Sequence, residues 1–81
     1  MDMKTLLRMA SSGTGFFEPS GNASADLRDF QDLAALAFEA ERLGYVYAVY
    51  VHRVPDPEGD VYNQIYVTGV TNLGLQFAGD S

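Results

Sequence analysis

No cysteine occurs in the 81 residues. Disulfide staples and thiolate metal sites are therefore excluded. Basic residues are scarce: five Lys and Arg stand against eleven Asp and Glu, for a net charge of −6. A nucleic-acid-binding surface needs a basic patch to neutralise phosphates, and Lys4, Arg8, Arg28, Arg42 and Arg53 are scattered along the chain. Long apolar runs are absent, and the N-terminus has no signal-like apolar stretch. The expectation is a cytoplasmic protein with no membrane segment. Asn22-Ala23-Ser24 matches a glycosylation sequon, which without a secretory signal reads as a chance match. The small size suggests a bacterial or phage origin.

Apolar residues make up 47% of the chain and aromatics 12%. That composition supports one modest core and argues against disorder. The length allows a single domain, residues 1–81. Met3, Leu6, Leu7 and Ala10 recur at helical spacing, which predicts a first helix over Met1–Ala10 with Asp2 placed to cap it or to favour its positive end. Ser11–Gly15 stops it. Phe16-Phe17 reads as an apolar anchor inside a long connection. A second helical segment is expected from near Ser24 to Gly44, with Ser24 or Asp26 as N-cap, Gly44 as the left-handed stop and a possible break near Asp29. Leu27, Phe30, Leu33, Ala34, Ala37, Phe38 and Ala40 fall on one broad arc, widened by Leu36 and Leu43. An arc that wide packs on more than one neighbour, so this helix is the expected centre of the domain.

Two strands follow, Tyr45–Val54 and Val61–Thr68, both rich in aromatic and β-branched residues. Pro55–Asp60 is hairpin-loop chemistry. Thr71 is placed to cap a short last helix through Phe77 or Ala78. Gly74 inside that helix is costly, which points to close packing there.

The segments Glu41–Val46, ERLGYV, and Val67–Gly79, VTGVTNLGLQFAG, carry a resemblance to a known family. The first resembles the end of a recognition helix entering a wing. The second resembles the return strand of a wing running into the helix start Val70-Thr71-Asn72-Leu73-Gly74. The chain thus resembles small bacterial and prophage winged helix-turn-helix domains, over about half its length. The resemblance implies an α+β fold: two or three helices, a β-hairpin wing and a short C-terminal helix. It also implies DNA binding or dimerisation as the habit of the family, although fold alone does not carry function.

The residues argue against the DNA reading. The candidate recognition-helix face is Arg28, Gln31, Asp32, Glu39 and Arg42, with Ala35 among them, and its charges cancel. Arg28 and Asp32 stand at i,i+4, where pairing is expected. Asp56, Glu58 and Asp60 put three negative charges at the wing tip, where phosphates would lie. Catalysis finds no support either. His52 is the one histidine, and no nucleophile or acid stands near it in a recognisable arrangement. The acidic loop lacks the closing Glu of a calcium-binding loop, and Ser12–Gly15 lacks the Lys of a phosphate-binding loop. No enzyme activity, cofactor or metal is expected.

The five tyrosines, Tyr45, Tyr47, Tyr50, Tyr62 and Tyr66, all stand on the two strands. Tyrosine anchors interfaces because its ring is rigid and apolar with a polar tip. Both faces of the first strand are apolar, and two strands alone cannot cover them. The expected function is protein binding, most simply as a homodimer through these tyrosines. The alternatives are a DNA-binding transcription regulator and an acidic protein that mimics DNA to block a nucleic-acid-binding partner.

Overall fold

A computed structural model describes residues 1–19, 21, 24–55, 59 and 61–79. Helix α1 spans Met3–Ser11, strand β1 Phe16–Phe17, helix α2 Ser24–Arg42, strand β2 Val46–Val54, strand β3 Val61–Val70 and helix α3 Asn72–Gly79. The fold is α+β, with three helices against a three-stranded antiparallel sheet in the order β1-β3-β2. No helix among the described residues is long and apolar enough to cross a membrane.

Local chemistry sets the ends of the helices. Asp2 Oδ1 accepts from the Thr5 N–H at 2.8 Å and caps α1. Gly44, at φ +79°, ends α2. There the Tyr45 N–H reaches the Ala40 carbonyl and the Gly44 N–H the Glu41 carbonyl, the paired bonds of a glycine C-cap. Thr71 Oγ1 accepts from the Gly74 N–H at 3.1 Å, capping α3 as its position suggested, and donates to the Gly44 carbonyl. A single hydroxyl thus ties the start of α3 to the end of α2.

The break expected near Asp29 does not occur: α2 runs uninterrupted for 19 residues. Phe16-Phe17 is more than an anchor, since it pairs with Tyr66 and Ile65 as an outer strand. The arc on α2 is central, as its width implied. Phe30, Ala34, Ala37 and Ala40 are buried with Leu6, Leu7, Phe17, Ile65 and Val67, and Leu33 and Phe38 pack on that cluster half-buried. Leu43 instead lies at the surface.

Gly74 meets the close packing its position required. A Cβ there would overlap the Tyr45 carbonyl and lie 2.7 Å from Val70 Cγ1. Helix α3 also docks on α1, where Arg8 Nε donates to the Ala78 carbonyl at 3.2 Å and Lys4 Nζ stands 5.7 Å from the Phe77 ring centre.

Candidate interaction surface on the sheet

Alternation along the strands sorts their side chains between two faces. Val49, Val51, Ile65, Val67 and Phe17 point into the core under the helices. Phe16, Tyr66 and Tyr50 point the other way. The pairing register sets Phe16 opposite Tyr66 and Tyr66 opposite Tyr50, so the three rings form one row across all three strands. They are 49%, 49% and 63% exposed. With His52 and Gln64 beside them they border an open hollow of about 190 Å³.

The five tyrosines therefore divide. Tyr45 stacks on Phe77 with ring centres 4.8 Å apart, and Tyr62 packs at 5.6 Å on Phe38 under the Arg53 guanidinium. Both are half-buried within the chain. Tyr47, 72% exposed, lies over Gly69 at the end of the hairpin, away from the row. Tyr50 and Tyr66 remain as the outward pair. Phe16 is the member of the row that sequence reasoning missed, because a two-residue strand has no periodicity to betray it.

The candidate recognition-helix face divides as well. Gln31 is not a free reader: its amide nitrogen donates to the Tyr62 carbonyl and its oxygen accepts from the Tyr62 N–H, each at 2.9 Å. The same nitrogen also donates to the Leu27 carbonyl. A side-chain amide thus stands in for a strand beside β3. Arg42 pairs at i,i+3 with Glu39, Nε to Oε2 at 2.8 Å. That hydrogen bond holds the Glu39 carboxyl below its ordinary value and raises the Arg42 guanidinium. Arg28 and Asp32 are exposed and form no ion pair with each other, in contrast to the pairing expected from their spacing. The acidic cluster Asp56, Glu58 and Asp60 lies outside the described residues. Among the described residues no group of three His, Asp or Glu side chains could hold a metal ion.

A second hollow, of about 560 Å³, lies between Phe17–Pro19 and the first half of α2. Phe30 and Leu33 line it, and the carboxylates of Glu18, Asp26, Asp29 and Asp32 stand around it.

No protein-family model matches the chain. No curated protein matches it, and no solved structure does.

Proposed function

We propose that this protein works by binding protein, most simply a second copy of itself, through the helix-free face of its sheet. The observation that carries this reading is the in-register row of Phe16, Tyr66 and Tyr50. Cross-strand aromatic neighbours stabilise a sheet, but leaving half or more of each ring in water forfeits the burial that makes aromatics useful. An exposed aromatic cluster on a small domain is the surface that partners cover. Light scattering coupled to size exclusion tests the reading. The wild type should pass from monomer to dimer as concentration rises. Tyr50→Ser with Tyr66→Ser should stay monomeric and still melt cooperatively, lowered only by the scale of one cross-strand pair, about 1 kcal/mol.

We read the order helix, helix, hairpin, helix as winged-helix-like, as the resemblance implies, with a cytoplasmic location. DNA reading is the weaker use of such a layout here. A helix-turn-helix needs two helices meeting at a short turn, and α2 is continuous. Gln31 is committed to Tyr62, and Arg42 to Glu39. The acidic hollow beside α2 favours a second reading, in which this negatively charged surface imitates the phosphates of DNA toward a basic protein. Binding to such a protein that vanishes at high salt and survives Tyr50→Ser would favour it over the sheet-face reading.

A further inference from the structure

The sheet order leaves the outer side of β2 without a strand neighbour among the described residues. The Val49 N–H points that way: it donates to Glu41 Oε2, at 2.9 Å, and not to β3. Antiparallel strands alternate residues whose N–H and C=O face the neighbour with residues whose groups face away. Val51 therefore shares the outward direction of Val49. The Ala48 carbonyl, which accepts from Thr68 Oγ1 at 3.1 Å, lies on the β3 side. The outer edge of β2 thus presents the backbone donors and acceptors of Val49 and Val51 at mid-strand. The Val49 donor is held by a carboxylate from the last turn of α2.

Edges of this kind pair with other strands unless a charge, a proline or a bulge prevents it. Val46–His52 contains no Asp, Glu, Lys, Arg or Pro, and the bulge comes only between His52 and Arg53. Glu41 is the guard at the middle of the edge.

We propose that the outer edge of β2 is a strand-addition site for β2 of a second copy, and that the Glu41 carboxylate on the Val49 N–H is the contact that holds it shut. The proposal rests on the self-association reading above and specifies its geometry. Charge selects a second copy's β2 as the segment that fits. Two chains of net −6 repel, and they meet with least repulsion along a stretch that carries no charge. Antiparallel pairing about Val49 is self-complementary: Val49 meets its own counterpart, and Tyr47 of each copy meets Val51 of the other. Tyr50 then lies diagonal to the second copy's Tyr50 on the helix-free face, within aromatic reach. The row from Phe16 through Tyr66 to Tyr50 runs on into its equivalent. Glu41 opposes this arrangement because its carboxylate sits where the incoming carbonyl must bind.

Dissociation constants for self-association, from light scattering over a concentration series, test the proposal. Glu41→Ala removes the guard and should tighten self-association about tenfold, the scale of a hydrogen bond to a charged group. Glu41→Gln keeps an acceptor oxygen for the Val49 N–H and should stay closer to the wild type than to Glu41→Ala. Adding Val51→Pro to Glu41→Ala deletes an outward donor on the edge and should reverse the gain. Exchange of the Val49 amide should be faster in monomeric Glu41→Ala than in the wild type. A Glu41→Ala protein that self-associates no more tightly than the wild type overturns the proposal. Phe16→Ser with Tyr66→Ser, remote from the edge, reads the aromatic face separately. Dimers that this pair abolishes, and that ignore Glu41, overturn the edge geometry and keep the sheet-face reading. Indifference to both sets of changes ends both.

Discussion

Individual side chains in this protein carry more than one task. Gly74 is the clearest case. Alanine is favoured over glycine in a helix by roughly 1 kcal/mol, yet the added methyl at this position would run into the Tyr45 backbone. Backbone cannot yield as a flexible side chain can, so Gly74→Ala should destabilise by about 1–3 kcal/mol. A chemical-denaturation curve checks it, and a stabilised variant would mean that α3 stands off from β2. Asp2 makes a pH prediction. The Thr5 N–H, then the remaining hydrogen bonding to Thr5, holds its carboxyl below the usual aspartate value. A depressed folded-state pKa contributes stability above the unfolded value, near pH 4, and loses it as pH falls through the lowered one. The start of α1 should therefore fray in acid. Asp2→Asn keeps a neutral cap and should remove that titration from the Thr5 amide shift. By contrast, the Arg42–Glu39 pair is exposed, and breaking it should leave the melt almost unchanged.

Elements differ in how plainly the sequence announces them. Helix α2 and the β2–β3 hairpin are legible because apolar period and β-branched density persist over many residues. The caps at Asp2, Gly44 and Thr71 are legible because each acts on its own neighbours. Strand β1 is not, since Phe16-Phe17 becomes a strand only when β3 lies beside it. Nor is the Gln31 clamp, which joins residues 31 apart in the chain. Both faces of β2 are apolar, so the pattern separates Val49 and Val51 from Tyr50 without revealing which set the helices cover. The candidate site was half legible for that reason: the strands could be named, but the division of their tyrosines required the packing of Phe38 and Phe77. Two predictions belong at this scale. Phe30, buried on α2, should cost about 3–5 kcal/mol when replaced by Ala, a large share of the roughly 5–15 kcal/mol that holds a domain together. Gln31→Ala leaves the Tyr62 N–H and C=O without their partner and should cost about 1–3 kcal/mol. Thermal melts of the two variants check both, and for Gln31→Ala faster exchange at the Tyr62 amide marks the lost clamp.

The whole molecule combines an acidic exterior with one uncharged aromatic face. On the proposed reading these properties would divide its partners: net negative charge opposes nucleic acid at long range, while the face needs contact at short range. Fluorescence anisotropy with a mixed-sequence duplex should show no appreciable binding at physiological salt. Salt-sensitive micromolar binding would restore the regulator reading. The same division makes self-association easier as salt rises, because screening weakens repulsion between copies of net −6 while apolar contact remains. The most direct test of a sheet-face interaction is a concentration series of amide and aromatic NMR spectra on the wild-type protein. The account predicts that the resonances that shift belong to Phe16, Tyr50, Tyr66 and their neighbours Gln64 and Thr68, joined by the Val49 and Val51 amides and Glu41 where the copies pair along β2, with Arg28 and Asp32 on the exposed side of α2 unmoved. Shifts centred on α2, or spectra that stay the same from micromolar to millimolar concentration, would contradict it.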